Sequence, residues 1–170
     1  MKRRWPIVLG LIALTLLAAP GWLSPGVRIV YNASDSAPRG WYRITRAAAL
    51  RTGEDVLALL PDAAATLAAQ RGYLPLRVPV LKRIAAVASQ RVCVRGGVVS
   101  IDGVAVAVAM PTDGQDRQLS AWDECRHLSG DELFLLGVAS ATSFDSRYFG
   151  PVSASSVIGH AQPLWTWNTR

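Results

Sequence analysis

Residues 5–23 form a run without a single charged side chain, directly after the three basic residues at positions 2–4. The run has about the length that a helix needs to cross the hydrocarbon layer of a bilayer. It therefore predicts a transmembrane helix or a signal peptide. Leucines stand where a cleavage site inside the run would need small side chains, which favours a retained anchor. A cut near residues 24–26 leaves the cleaved form open.

The basic residues at positions 2–4 predict which way such an anchor would be oriented. By the positive-inside rule they place residues 1–4 in the cytoplasm, so that the rest of the chain faces outward. In a Gram-negative bacterium that side is the periplasm. The chain has 170 residues, and residues 27–170 are enough for one domain with its own core.

The sequence beyond the anchor predicts a mainly β domain, because short β-branched runs alternate with Gly, Pro and Asp. The Asp102-Gly103 pair predicts a two-residue hairpin turn. The predicted strands are residues 27–31, 41–45, 56–60, 81–88, 91–94, 98–101, 104–109, 133–137 and 156–162.

One segment predicts a helix instead. Residues 62–71 are rich in alanine, follow Pro61 and precede Gly72. Asp62 is a good N-cap residue, and Gly72 is a typical helix end, so we expect a short surface helix here.

The chain has two cysteines, Cys93 and Cys125. An oxidising compartment would let them pair as a disulfide, and the alternative is two buried free thiols. The polar, turn-rich residues 112–129 contain Cys125, and we expect them to form a long loop that the disulfide ties back. Neither cysteine has the neighbours of a metal site, and no cofactor is predicted.

The net charge of +6 comes from scattered arginines without a long basic run. This pattern suits a surface close to anionic lipid headgroups. It is weak evidence for nucleic-acid binding, which we do not expect.

Serine and lysine are the residues with the clearest potential for chemistry. Ser34 and Ser36 lie in a segment with a Pro/Gly turn, and a serine hydroxyl needs a base to become a nucleophile. His127 and His160 lack an obvious acidic partner and are interpreted as structural. Lys82 lies in an apolar run, where burial would lower its pKa from about 10.4 toward 7 or 8. The alternative is a lysine that reaches solvent from an edge strand.

Two simpler interpretations remain open on the residues alone. Residues 32–38 are typical of an Asx-type turn at the end of a strand. Residues 145–147 are equally typical of a solvated salt bridge in a loop.

Three segments in order resemble the S26 family of serine endopeptidases, which includes bacterial type I signal peptidases. Residues 34–42 fit the pattern Ser-x-Ser-x-Pro-x-Gly-x-Tyr, residues 81–87 fit its lysine-arginine box, and residues 143–150 fit Ser-x-Asp-Ser-Arg-Tyr-x-Gly. Ala37 stands where signal peptidases have methionine after the nucleophile, which favours the TraF-type conjugative-transfer branch. Residues 89–90 are Ser-Gln where Gly-Asp is usual.

The resemblance implies a role for each matching residue. Ser36 matches the nucleophile and Lys82 the general base. The Ser34 hydroxyl matches the group that completes an oxyanion hole with the Ser36 backbone N–H. Ser143 matches the serine that orients the lysine amine.

Two further matches are structural, since Asp145 and Arg147 correspond to a pair that supports the site. The implied fold is a signal-peptidase-like β-rich domain with one N-terminal transmembrane helix and a short surface helix.

The implied protein is an inner-membrane serine endopeptidase that cleaves exported precursors in the periplasm. A conjugative pilin or another transfer-system precursor is the expected substrate, with joining of the pilin ends as a further hypothesis. A general type I signal peptidase is the alternative enzyme. An inactive, membrane-anchored assembly protein is the alternative of another class.

Overall fold

The computed structural model describes residues 27–167 and, before them, residues 5, 8–10 and 12–14, which are helical. In these described parts, no helix combines the length and apolar character needed to span a membrane. The anchor prediction for residues 5–23 falls largely outside the described residues.

Eleven strands, two short helices and a 3-10 turn make up the described domain. The mainly β prediction is therefore confirmed. The strands are β1 (Val27–Asn32), β2 (Arg39–Thr45), β3 (Asp55–Ala58), β4 (Val80–Ala86), β5 (Arg91–Arg95), β6 (Val98–Ile101), β7 (Val104–Val108), β8 (Cys125–His127), β9 (Glu132–Leu136), β10 (Val152–Ser153) and β11 (Val157–Trp167). The helices are α1 (Asp62–Gln70) and α2 (Ser146–Phe149), and the 3-10 turn is Ala154–Ser156.

Two antiparallel sheets carry these strands. The larger has seven strands in the order β1-β2-β11-β3-β4-β9-β10, and the smaller has four in the order β7-β6-β5-β8. Strand β4 lies inside the larger sheet, where Val56 of β3 pairs with Lys82 and Leu135 of β9 pairs with Ile84. Pairing on both sides fixes the register of the strand that carries Lys82.

Apolar side chains fill the space on the faces of the sheets. Ile84, Val56 and Leu135 of the larger sheet are buried together. Phe134 also packs against Val92 of the smaller sheet. Because strand β9 contributes to both clusters, it connects the two sheets through their cores.

The smaller sheet contains the two cysteines. Cys93 of β5 lies opposite Cys125 of β8 in the register, and the two form a disulfide. The predicted loop over residues 112–129 is therefore partly wrong, because its end forms strand β8. The strand is only three residues long. The local hydrophobic pattern of its sequence does not indicate its pairing with β5 or the disulfide.

The hairpin turn at Asp102-Gly103 is confirmed. Asp102 has φ 49° and Gly103 has φ 85°, as a two-residue type I′ connection requires. The predicted helix at residues 62–71 is also confirmed as α1, although Asp62 is not its N-cap. Pro61 occupies that position with an extended conformation and no side-chain cap, so Asp62 is the first helical residue.

Candidate active site

The connection between β1 and β2 carries both predicted serines. Its ends are fixed by the pairing of Asn32 with Gly40. The buried Asn32 amide donates from Nδ2 to the carbonyl oxygens of Ser34, Ala37 and Pro38, each at 3.1 Å. One side chain thus holds most of the connection, because its donors and acceptor lie inside the turn.

Two other positions of the serine motif have a structural reason. A Cβ atom on Gly40, which has φ 144°, would lie 2.2 Å from the Trp165 carbonyl oxygen of the neighbouring strand, so a side chain is excluded there. The Tyr42 hydroxyl donates to the Pro38 carbonyl oxygen at 2.7 Å. Gly40 thus permits the close approach of strand β11, and the Tyr42 hydrogen bond ties the serine connection to strand β2.

The two serine hydroxyls lie next to each other. Ser34 Oγ donates to Asn32 Oδ1 at 2.8 Å, and Ser34 Oγ and Ser36 Oγ are 3.0 Å apart. The Ser34 backbone N–H also donates to Asn32 Oδ1, so the Asx-type turn is present together with the serine pair. Ser36 Oγ lies 3.5 Å from the Leu81 carbonyl oxygen, which brings it beside strand β4 one residue before Lys82.

Lys82 is buried, with 4% of its surface exposed. Its Nζ donates to Ser143 Oγ at 2.5 Å. Burial lowers its pKa to about 8, while the Asp145 charge acts to raise it and the Arg147 charge to lower it. A lysine reaching solvent from an edge strand is therefore excluded, since β4 is an interior strand.

Ser36 and Lys82 line the same cavity, whose volume is about 520 Å³. Within the described residues their side chains make no direct hydrogen bond, and the amine donates to Ser143 Oγ. Catalytic hydrogen bonds are often long without substrate and shorten when it binds. The arrangement brings a hydroxyl and an amine of lowered pKa to the same cavity.

A glycine makes room for Ser143. A Cβ atom on Gly137 would lie 2.1 Å from Ser143 Oγ and 2.5 Å from Ser143 Cβ. The Gly137 backbone N–H also donates to Asp145 Oδ2 at 2.8 Å. Gly137 was not among the predicted site residues, and its place at the end of the strand predicted over residues 133–137 was the only signal for it.

Gly137→Ala is therefore expected to lower the free energy of unfolding by about 1–3 kcal/mol, the usual cost of overpacking. Chemical denaturation measures it. Gly114→Ala is the matched control, since a Cβ there meets nothing within 4 Å. Ser143→Gly in the Gly137→Ala background removes the clashing atoms and should make the double variant more stable than the sum of the two changes. Simple additivity would contradict the contact.

Asp145 and Arg147 form a buried ion pair, not a solvated salt bridge. The Asp145 side chain is fully buried and that of Arg147 is 4% exposed. The guanidinium donates to both carboxylate oxygens at 2.8 Å and to the Ser143 carbonyl oxygen at 2.9 Å. The pair therefore fixes the backbone that presents Ser143 to Lys82.

The two histidines lie elsewhere. Nδ1 of His127 contacts the Ser89 carbonyl oxygen at 2.9 Å, and Nε2 of His160 contacts the Ala49 carbonyl oxygen at 2.7 Å. Neither lines the cavity that contains Ser36. Among the described residues, no cluster of three or more His, Cys, Asp and Glu side chains is arranged to hold a metal ion.

The remaining cavity wall is largely apolar and was not predicted from the sequence. It is formed by residues of helix α1, of the segments on either side of this helix, of the start of β4, and by the residue after Ser143. The side chains concerned are Leu60, Ala68, Tyr73, Leu74, Val78, Pro79, Val80 and Phe144.

The model of the family described as signal peptidase, peptidase S26, matches residues 2–167. The probable conjugal transfer protein TraF of Sinorhizobium fredii is 35% identical, with 98% of this chain and 93% of that protein covered. A plasmid transfer protein TraF of Escherichia coli is 31% identical, with 95% of this chain and 94% of that protein covered.

Among solved structures, a signal peptidase I from Enterococcus faecalis matches 66% of this chain and 96% of its own, at 20% identity and a TM-score of 0.41. The family model spans nearly the whole chain, and the two TraF proteins match it over almost their entire lengths. The protein therefore belongs to the signal peptidase family, peptidase S26, in which its relatives include the conjugal transfer proteins TraF.

Proposed function

We propose that the protein is a serine endopeptidase in which Lys82 acts as the general base for Ser36. The observation that carries the proposal is the buried Lys82 amine, whose pKa is lowered to about 8, in the cavity that Ser36 lines. A neutral amine near physiological pH can accept the proton of a serine hydroxyl. Membership of a peptidase family supports the same reaction.

The reaction begins with attack of Ser36 Oγ on the scissile carbonyl carbon, while its proton moves to Lys82 Nζ. The peptide C–N bond then breaks, and the leaving amine takes the proton from Lys82. Water then attacks the resulting ester while its proton moves to the neutral Lys82 amine, and Ser36 Oγ takes that proton from Lys82 as the ester C–O bond breaks. This sequence is the serine-protease scheme with lysine in place of histidine.

Ser34 is positioned for the oxyanion that forms during attack. Its hydroxyl lies 3.0 Å from Ser36 Oγ but is donated to Asn32 Oδ1 without substrate. If the hydroxyl rotated toward the oxyanion, it would provide a second hydrogen-bond donor there, beside the Ser36 backbone N–H. Ser143 holds the Lys82 amine at the cavity, with Asp145 and Arg147 supporting Ser143.

In the proposed topology, residues 5–23 are the anchor, residues 1–4 lie in the cytoplasm, and the domain of residues 27–170 lies in the periplasm. Two observations support a site close to the membrane. Strand β1 begins at Val27, a few residues after the uncharged run. Exposed aromatic side chains lie on β1, β2 and β11, and Tyr31 contacts Trp41 with ring centroids 5.1 Å apart. Tryptophan and tyrosine are enriched at membrane interfaces.

The substrate we infer is the precursor of a conjugative pilin or of another transfer-system component, since the relatives are named as conjugal and plasmid transfer proteins. Joining the pilin ends would require an amine to intercept the Ser36 ester in place of water. The general signal peptidase remains the alternative enzyme, and it predicts cleavage of unrelated exported precursors.

The folding free energy that is lost by burying the Lys82 amine argues against an inactive assembly protein. Holding a lysine with its pKa lowered from 10.5 to about 8 costs roughly 3 kcal/mol of folding free energy at neutral pH. A protein without catalysis would gain stability from an apolar residue at this position.

Ser36→Ala is expected to abolish processing of a candidate pilin precursor co-expressed from the same transfer system, because the ester can no longer form. Mass spectrometry of the precursor measures the cut and shows whether the product has lost one further water through ring closure. The control is Ser155→Ala, which changes an exposed serine outside the cavity. Equal processing by wild type and Ser36→Ala would overturn the proposed function.

A further inference from the structure

A second polar cluster lies next to the cavity, centred on the Asp113 carboxylate, whose side chain is 5% exposed. Oδ2 accepts hydrogen bonds from the Tyr73 hydroxyl and from Arg117 Nε, the latter at 2.7 Å, and lies 3.4 Å from Arg71 Nη1. Oδ1 accepts from the backbone N–H groups of Gln115 and Arg117. We call Asp113, Arg71 and Arg117 the Asp113 clasp.

The carboxylate in this clasp is ionised. Burial alone would raise the pKa of Asp113, but hydrogen bonds from Tyr73, Gln115 and Arg117 outweigh it and hold the pKa well below its ordinary range. A charged acceptor makes the hydrogen bond from the Tyr73 hydroxyl stronger than one between neutral groups.

The clasp joins two distant parts of the chain. Arg117 Nη2 donates to the Arg71 carbonyl oxygen at 3.0 Å, and Arg71 Nη2 donates to the Gln118 carbonyl oxygen at 2.8 Å. These bonds tie the end of α1 to the loop that leads to β8. The segment after α1, which includes Tyr73, is thereby fixed to a loop more than 40 residues away along the chain.

The Tyr73 ring is fixed from further directions and faces the cavity. The Arg117 guanidinium lies 5.4 Å from its centroid, and the Phe144 ring lies 5.5 Å from it. Phe144 directly follows Ser143, and both rings line the cavity that contains Ser36. A ring held by its hydroxyl, its face and a neighbouring ring cannot move aside without breaking these contacts.

The cavity beside this ring suits an apolar side chain. Among the described residues that line it, Lys82 is the only charged one, and Ala68, Leu74 and Val78 form the wall near Tyr73. An apolar pocket distinguishes substrate side chains mainly by their size, and a rigid wall makes binding of the larger side chain unfavourable.

We propose that Tyr73, held in place by the Asp113 clasp, is a specificity-determining residue that limits the size of the apolar substrate side chain entering the cavity beside Ser36. This inference rests on the proposed peptidase function. The alternative is that the clasp only fastens the loop to α1, in which case its loss would change stability but not substrate preference.

The test compares cleavage of internally quenched peptides that span the cut in the processed precursor. Ala, Val, Leu or Phe is placed in turn at each of three positions before the cut, and kcat and KM are measured separately. Tyr73→Ala is expected to raise kcat/KM for the Leu or Phe peptide, relative to the Ala peptide, by about tenfold or more at one position, the scale on which pocket size discriminates. The change should appear mainly in KM.

Two milder variants separate positioning from folding. Tyr73→Phe and Asp113→Asn keep the ring but weaken its hold, so we expect the same shift in preference at the same position, by about threefold, a fraction of a typical hydrogen-bond contribution. Asp123→Asn is the matched control, because Asp123 is an exposed carboxylate near the other end of the loop, 3.5 Å from Arg95.

The outcomes are distinguishable. An unchanged size preference in Tyr73→Ala, Tyr73→Phe and Asp113→Asn, with or without a lower melting temperature, would overturn the inference and leave the peptidase function intact. Cleavage of the same peptides by purified Ser36→Ala would instead overturn the proposed function.

Discussion

Replacing Lys82 by methionine is expected to reduce precursor cleavage by about 10²–10⁴-fold, the contribution that general acid–base groups make. Methionine has a similar volume but cannot accept the Ser36 proton or return it to the leaving amine. Cleavage of the precursor by the purified variant measures the effect. The proposed mechanism would be contradicted if Lys82→Met processed the precursor at the wild-type rate.

The pH dependence of the wild-type enzyme follows from the same amine. Because only neutral Lys82 can act as base and its pKa is about 8, kcat/KM should rise about tenfold for each pH unit below 8 and level off above it. Measurements of kcat/KM from pH 6 to 10 show this directly. A rate that is flat between pH 6 and 8 would exclude Lys82 as the base.

The stability of Lys82→Met provides an independent measurement of how far the pKa of Lys82 is lowered in the folded protein. Between the folded pKa of about 8 and the ordinary value of 10.5, the unfolded chain binds more protons at Lys82 than the folded one. The free energy of unfolding of the wild type therefore rises with pH across this window, by roughly 3 kcal/mol in total. Lys82→Met should lack this component, and at pH 7 it should be at least as stable as the wild type despite losing the bond to Ser143.

The sequence predicted the serine and lysine motifs because each lies in a short continuous segment. The contact between Lys82 and Ser143, which lie 61 residues apart, was implied only by the family resemblance. The contact between Tyr73 and Asp113, 40 residues apart, was not predicted, because no local pattern of either segment indicates its partner.

Other features were left open or missed because the same local sequence fits two environments. The spacing of Asp145 and Arg147 is compatible with a solvated loop or a buried pair, and only the packing of the sheets decides between them. Strand β8 is three residues long and polar, so it forms through its partner strand and not through its own propensity. Likewise, an asparagine at position 32 is typical of any turn. In the fold, its amide donates to the Pro38 carbonyl oxygen and accepts from the Ser34 hydroxyl.

Arg147→Met is expected to lower the free energy of unfolding by about 3–5 kcal/mol, the usual cost of breaking a buried ion pair from one side. The Asp145 carboxylate would remain fully buried without its counter-charge. The carbonyl oxygens of Val108, Ala141 and Ser143 would each lose a guanidinium donor. Chemical denaturation measures the loss, and a change below about 1 kcal/mol, the scale of an exposed pair, would contradict it.

Two comparisons identify the charge as the cause. Arg95→Met removes an arginine from an exposed ion pair with Asp123 and should have little effect on stability. Adding Asp145→Asn to Arg147→Met removes the unpaired charge, so the double variant should be more stable than the sum of the single changes.

The same substitution should also change the titration of Lys82. The Arg147 charge lowers the pKa of Lys82 and the Asp145 charge raises it, so removal of Arg147 alone shifts that pKa upward. The pH–rate profile of Arg147→Met should therefore move to higher pH, measured where the variant remains folded. An unshifted profile would mean that Arg147 supports only the fold, whereas a shifted one makes the Arg147 charge part of what lowers the pKa of Lys82.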